Sequence, residues 1–225
     1  MTGVSYRRIG GAAGIVAMVL LVVGFLLPGA PPKADDSLQE ITSYLVDKRS
    51  SLLAGSFVIG LGMGAFLVWL SALRGLLEAG DRDGILPRVA FAAGVVAAVL
   101  NTAGAAVTAG IVFEAAGLGD AILNRALFDT SIDLFTITGF PIAVLFASAA
   151  LSASATGALP RWAVPTGLVV ALLQLVSVVG IFASSGFFAT GGAFGFIAFV
   201  PAVAWVIAVG VVMLRGAGET RASTA

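Results

Sequence analysis

Three carboxylates near the ends of apolar segments are the side chains best suited to proton chemistry in this sequence. Glu114 ends the third long apolar segment, and Asp129 and Asp133 lie four residues apart before the fourth. On a helix, that spacing places Asp129 and Asp133 on one face. Paired carboxylates can act as general acid and base, or bind a cation, when burial raises one pKa and leaves the other low. The same acids also fit solvated or helix-capping roles, so both interpretations stay open.

Amides and hydroxyls form a second candidate set, inside the apolar segments. Asn101 lies near the middle of the third segment and Gln174 near the middle of the fifth, and Thr108 and Ser177 share helix faces with them. An unpaired amide in hydrocarbon is costly, so these side chains should face protein. Hydrogen bonding between helices is the favoured interpretation, because amides cannot act as acid or base near neutral pH. Lining a pore for a neutral solute is the alternative.

Phenylalanines are concentrated in the connection between the fifth and sixth apolar segments. Phe187, Phe188, Phe194 and Phe196 lie there among several glycines. A connection this apolar should enter the membrane interface or cover an apolar ligand, although packing against neighbouring helices would also account for it. We predict that these four residues bind lipid or a partner.

The overall composition removes several classes of activity. The 225 residues include no Cys and no His, so thiol nucleophiles, disulfides and imidazole metal sites are absent. We therefore expect no metal site and no cofactor. Hydrophobic residues make up 59% of the chain and charged residues 11%, against about 45–50% and about 25% in soluble domains. So few charges cannot cover a water-soluble surface, which excludes a soluble enzyme and a nucleic-acid partner.

Six apolar segments are long enough to cross a membrane as helices, each of which needs about 20 residues. Helices are predicted because each segment is continuously apolar, whereas a barrel strand alternates. We predict one all-α domain over residues 1–225, a polytopic transmembrane bundle of six helices. The predicted spans are 9–27, 52–73, 89–113, 135–155, 162–182 and 194–214.

Two of the connecting segments are long enough to contain short helices of their own. In residues 28–51, Ser37 and Glu40 have the spacing of a capping box. Apolar side chains then recur at helical spacing, at Leu38, Ile41 and Leu45. Residues 116–134 repeat this pattern more briefly. We predict short amphipathic helices on the outer surface of the bundle.

Small residues predict close packing between some of the spans. Gly10 with Gly14, and Gly60 with Gly64, have the four-residue spacing that lets two membrane helices approach closely. We predict a packing role for both pairs, and the same motif can also form homodimers.

The distribution of charge predicts the orientation of the bundle. With both termini in the cytoplasm, eight Lys or Arg residues fall inside and four outside, as the positive-inside rule requires. The acids divide the other way, with four inside and eight outside. We therefore predict a multi-pass protein of the cell membrane, with a cytoplasmic N-terminus and a cytoplasmic C-terminus.

Most of the chain resembles a family of small bacterial membrane proteins. Leu-Pro-Arg-Trp-Ala at 159–163 opens a span, a Phe-rich turn follows, and the last span ends in Val-Met-Leu-Arg-Gly at 212–216. The first half adds a long outer loop and Leu-Ser-Ala-Leu-Arg at 70–74. These features resemble the group labelled domain of unknown function 4386. The resemblance implies a six-span helical protein of the bacterial inner membrane and brings no activity or functional residues.

Three functions are compatible with these residues. The leading hypothesis is a non-catalytic membrane scaffold or accessory protein that binds membrane lipid, a membrane protein partner or a second copy of the chain through its Phe-rich outer end. The second is a membrane enzyme that performs acid/base chemistry on an isoprenoid or similar lipid with Glu114 and Asp129 or Asp133. The third is a pore or transporter for a neutral solute, since the spans lack a deep protonatable group for ion coupling.

Overall fold

The computed structural model describes residues 3–32, 36–80, 84–118, 120–183, 185–190 and 192–222. Within these ranges the chain forms eight α-helices and no strand. In chain order they are α1 (Gly3–Leu26), α2 (Leu38–Asp47), α3 (Arg49–Glu78), α4 (Ile85–Leu118), α5 (Ala121–Ile137), α6 (Gly139–Thr156), α7 (Ala163–Ser177) and α8 (Ala193–Ala222). A 3-10 segment, Val178–Phe182, follows α7 directly.

Six stretches of the described chain are long and apolar enough to cross a membrane, which confirms the predicted polytopic bundle. They are Tyr6–Leu26, Arg49–Glu78, Ile85–Phe113, Ile122–Thr156, Ala163–Phe182 and Ala193–Gly216. The fourth combines α5 and α6, which only Thr138 separates. Large apolar side chains such as Phe57 and Leu172 stay exposed on the sides of the bundle. Hydrocarbon is the solvent that tolerates such a surface, so the protein is an integral membrane protein.

Close helix packing depends on glycines of α1. A Cβ on Gly11 would lie 2.6 Å from the carbonyl oxygen of Gly210, and a Cβ on Gly210 would lie 2.8 Å from that of Gly11. The backbones of α1 and α8 therefore meet at a point where only glycine fits. On the neighbouring side of α1, Gly10 and Gly14 pack directly against Ala72 and Trp69 of α3.

The second glycine pair has a different environment. A Cβ on Gly60 or Gly64 would meet no atom within 4 Å. Both residues line an apolar groove of about 450 Å³ between α3 and α4, together with residues such as Ala98 and Thr102. The predicted packing role therefore holds within this chain for Gly10 and Gly14 but not for Gly60 and Gly64.

Helices α2 and α5 cover one end of the bundle, which we call the capped end. A separate apolar cluster joins them to the ends of α3 and α4, and its buried members are Ile41, Leu45, Leu52, Ile111, Val112 and Phe128. Both predicted connecting helices are thus present, and α5 is longer than expected because it continues almost into α6. Phe128 anchors α5 in this cluster, whereas Ile122 and Leu123 of the same predicted apolar face stay exposed.

The start of α2 has the predicted capping box. The Ser37 backbone N–H donates to Glu40 Oε2 at 2.8 Å, and the Glu40 backbone N–H donates to Ser37 Oγ at 3.3 Å. Hydrogen bonds from the side chain and backbone of Ser37 hold the pKa of Glu40 below its usual value. The cap satisfies backbone donors that the first turn of α2 would leave unpaired, and this fixes where the helix begins.

Candidate functional site

A cluster of phenylalanine rings lies at the capped end, where the 3-10 segment leads into α8. We call residues 185–190 and 192–196 the phenylalanine turn. Ring centroids are 5.1 Å apart for Phe187 and Phe188, 5.7 Å for Phe187 and Phe194, and 4.9 Å for Phe188 and Phe194. These are favourable distances for aromatic pairs. Three of the four predicted binding residues therefore form one cluster.

The backbone holds these rings in a defined arrangement. The Phe194 N–H donates to the carbonyl oxygen of Phe187 at 3.1 Å, which closes the turn. A Cβ on Gly192 would lie 2.7 to 2.9 Å from three carbonyl oxygens of the same turn, so only glycine fits at this position. Thr190 Oγ1 also donates to the carbonyl oxygen of Gly180 at 3.2 Å, which ties the turn to the 3-10 segment. The backbone of the turn therefore fixes the relative positions of these rings.

The rings contact one another yet leave much of their surface uncovered. Phe187 is 50% exposed, Phe188 46% and Phe196 56%, and Phe182 of the adjoining 3-10 segment is 85% exposed. By contrast, Phe199 further along α8 packs edge-on against Phe25, with centroids 5.7 Å apart. The phenylalanine turn therefore presents an apolar surface that the other described residues do not cover.

The aspartates lie in the middle of α5 and not at its start. Asp120 caps this helix, because its Oδ1 accepts hydrogen bonds from the N–H groups of Ile122 and Leu123, both at 3.1 Å. Asp129 and Asp133 are therefore not the N-cap residues. They share one face and line a groove of about 270 Å³ between α5 and the 3-10 segment, which we call the acidic groove. Its other lining residues are Ile132, Ile181, Phe182, Ala183 and Thr190.

The two aspartates differ in their surroundings. Asp129 Oδ2 accepts a hydrogen bond from Arg125 Nε at 2.8 Å in an ion pair one helical turn long. Arg125 also donates from Nη1 to the carbonyl oxygen of Asp36 at 3.1 Å, which links α5 to the segment before α2. Within the described residues, Asp133 has no hydrogen-bond or ion-pair partner. Sequence reasoning overlooked Arg125, although its four-residue spacing from Asp129 was a usable indication.

The third predicted acid is not brought into this groove by any described contact. The backbone of Glu114 belongs to α4, but its side chain lies outside the described residues. The described groove therefore contains one ion-paired carboxylate, Asp129, and one unpaired carboxylate, Asp133. Acid/base catalysis by a pair of carboxyl groups needs environments that hold their two pKa values apart, commonly in a closed apolar cavity. The described geometry is better suited to binding a cation than to acid/base catalysis.

The intramembrane polar residues bond to backbone carbonyls. Gln174 Nε2 donates to Ala198 of α8 at 2.8 Å, whereas Asn101 Nδ2 donates to Ala97 of its own helix at 3.0 Å. Thr108 Oγ1 donates to Gly104 at 3.0 Å and Ser177 Oγ to Gln174 at 2.7 Å. Of these four bonds, only that of Gln174 joins two helices.

A tryptophan that the sequence interpretation did not select makes a second bond between helices. Trp205 Nε1 donates to the carbonyl oxygen of Ala163 at 3.0 Å, and its ring packs edge-on against Phe146 with centroids 5.0 Å apart. Together with Gln174, it joins α7 to α8 at two heights. The predicted bonding between helices therefore holds for Gln174, whereas Asn101, Thr108 and Ser177 bond within their own helices.

Comparison with protein-family models, curated proteins and solved structures finds no match for this chain. The resemblance to the domain of unknown function 4386 group therefore stays a prediction. Among the described residues, no group of three or more Asp, Glu, His or Cys side chains could hold a metal ion.

Proposed function

We propose that this integral membrane protein is a non-catalytic scaffold or accessory protein that binds membrane lipid at its capped end. The observation that carries the proposal is the phenylalanine turn, where Phe187 and Phe188 contact each other, are held by the backbone and stay about half exposed. Each fully buried Phe ring removes about 150 to 250 Å² from solvent, so covering this turn with an apolar ligand is favourable. A lipid chain laid across the rings would supply that cover.

Lipid is favoured over a partner helix by what lies beside the rings. The acidic groove adjoins the phenylalanine turn through Phe182 and Thr190, so an apolar surface and a polar one meet at the capped end. Amphiphilic molecules have this division of chemistry, with a headgroup and a tail, whereas a transmembrane helix presents a mainly apolar face. A partner helix, or a second copy of the chain, is the competing occupant.

The alternatives have less support from the geometry. An acid/base enzyme would use the aspartates of α5, but Asp129 is held by Arg125 and the groove is open. A pore for a neutral solute would need free amides and hydroxyls along a path. Asn101, Gln174, Thr108 and Ser177 instead donate to backbone carbonyls.

We expect the Phe187→Ala/Phe188→Ala double variant to lose most of the lipid that copurifies with the wild-type protein. The change removes two exposed rings that contact each other edge to face, whereas the spans that hold the fold are untouched. Native mass spectrometry of protein purified in mild detergent measures the number of bound lipids. Phe57→Ala is the matched control, because Phe57 is 68% exposed on the side of α3 and lies away from the turn. Wild-type protein without bound lipid, or equal loss in the control, would contradict the proposal.

The proposal places the capped end on the outer side of a bacterial inner membrane, with both termini in the cytoplasm, as the distribution of Lys and Arg predicts. Because the chain has no Cys, single introduced cysteines report on each side without background. A membrane-impermeant maleimide added to intact cells should label Ser185→Cys in the phenylalanine turn. Ala79→Cys, at the opposite end of the bundle after α3, should be labelled only after the cells are permeabilised. The reverse pattern would invert the orientation.

A further inference from the structure

The lining of the acidic groove bears on the charge of the headgroup, which the lipid-binding proposal leaves open. One wall consists of α5, which contributes Asp129, Ile132 and Asp133, and the other consists of the 3-10 segment and the residues after it. The walls therefore pair carboxylates with the apolar side chains of Ile181 and Phe182. The volume of about 270 Å³ suits a headgroup with the first carbons of a chain, since complete drug-sized ligands occupy about 300 to 1,000 Å³.

The charge balance in the groove favours a cation. Arg125 pairs with Asp129 across a 2.8 Å contact, whereas no described ion pair offsets the negative charge of Asp133. Asp133 is exposed in the groove, so its carboxylate is accessible to a cationic ligand. A cationic ligand is therefore attracted electrostatically to the Asp133 carboxylate.

The chemistry of the lining favours an organic cation over a metal ion. Calcium takes six to eight oxygen ligands, and no cluster of three acidic side chains exists among the described residues. An alkylammonium group needs fewer fixed ligands, since a single carboxylate can accept its charge-assisted hydrogen bonds or hold it by charge alone. The exposed ring of Phe182 can contribute cation–π attraction and a surface for the attached chain.

We infer that the acidic groove binds an ammonium group that carries an apolar chain, with the Asp133 carboxylate holding the cation and Ile181 and Phe182 contacting the chain. This inference rests on the proposed lipid binding at the capped end and assigns it a headgroup class. An ammonium lipid of the membrane and a free amphiphilic amine share this chemistry, and the experiment below separates them.

The test uses detergent-purified full-length protein and native mass spectrometry. Equimolar phosphatidylethanolamine, which carries an ammonium group, and phosphatidylglycerol, which does not, are added. The wild-type protein is expected to retain about tenfold more phosphatidylethanolamine than phosphatidylglycerol, because only the ammonium lipid can donate a charge-assisted hydrogen bond to Asp133. Asp133→Asn should abolish this preference. Asp47→Asn should preserve it, because Asp47 is an exposed carboxylate of α2 outside the groove. Unchanged melting temperatures in both variants show that the fold is intact.

The outcomes separate this inference from the proposed function. Equal retention of the two lipids by the wild-type protein, or a preference that survives Asp133→Asn, overturns the ammonium site but leaves lipid binding standing. Retention of neither lipid overturns the proposed function. In that case, binding of a free amphiphilic amine tests whether the groove is an ammonium site. Saturable, Asp133-dependent binding of dodecylammonium by lipid-depleted protein supports the groove as a site for a free amine. No binding of that probe overturns the site.

Discussion

Replacing Gly11 or Gly210 by alanine is expected to reduce the free energy of unfolding by about 3 kcal/mol, near the upper end of typical overpacking costs. The added methyl group would lie 2.6 or 2.8 Å from a backbone carbonyl oxygen of the facing helix. A carbonyl inside a helix cannot rotate away as a side chain can, so α1 and α8 must separate. For a chain of this size, such a loss lowers Tm by about 6–12 °C.

Matched controls for this effect exist elsewhere in the chain. Gly60 and Gly64 are also helical, but a Cβ at either position meets nothing within 4 Å. Gly60→Ala and Gly64→Ala should therefore be neutral, or stabilise the protein by about 0.5–1 kcal/mol, because alanine favours the helix over glycine. Thermal melts of the four variants in detergent make the comparison. Similar Tm values for all four would refute the close approach of α1 and α8.

Trp205→Ala is expected to cost about 3–5 kcal/mol, the range for deleting a large buried aromatic side chain. Trp205 is only 3% exposed, packs edge-on against Phe146, and donates from Nε1 to the carbonyl oxygen of Ala163. Alanine would leave a cavity between α6, α7 and α8 and a buried carbonyl without this donor. Lost packing accounts for most of this expected loss of stability, because hydrogen bonds between membrane helices average only about 0.6 kcal/mol.

Two further variants separate the contributions at this position. Trp205→Phe keeps an aromatic ring but removes the donor, so its loss of stability should be much smaller than that of Trp205→Ala. Trp162→Ala is the control for tryptophan removal as such, since Trp162 is 40% exposed before α7. Its Tm should fall far less than that of Trp205→Ala. Equal shifts for Trp162→Ala and Trp205→Ala would show that Trp205 does not join these helices.

The spans and the first capping helix could be predicted because their determinants are local. A continuous apolar segment of about 20 residues must become a helix in hydrocarbon, whatever it packs against. Likewise, Ser37 and Glu40 satisfy each other's backbone donors within one helical turn. Neither feature depends on knowing which helices are neighbours.

The remaining features depend on contacts between distant parts of the chain. Gly10 with Gly14 and Gly60 with Gly64 have the same spacing, yet one pair packs on α3 and the other faces a groove. The glycine spacing indicates how closely another helix can approach, but it does not indicate whether another helix lies there. The acidic groove likewise needs the 3-10 segment opposite α5, and these elements lie about 50 residues apart in the chain. Only the fold brings them together.

Site-directed photocrosslinking tests lipid binding at the capped end most directly. A photoreactive phenylalanine analogue replaces Phe187 in the turn or, as a control, Phe57 on the side of α3. Both positions are at least half exposed. Irradiation after purification in detergent, when loosely held lipid has been washed away, should give a lipid adduct at Phe187 and little at Phe57. A protein adduct at Phe187, or equal lipid adducts at both positions, would contradict lipid binding by the phenylalanine turn.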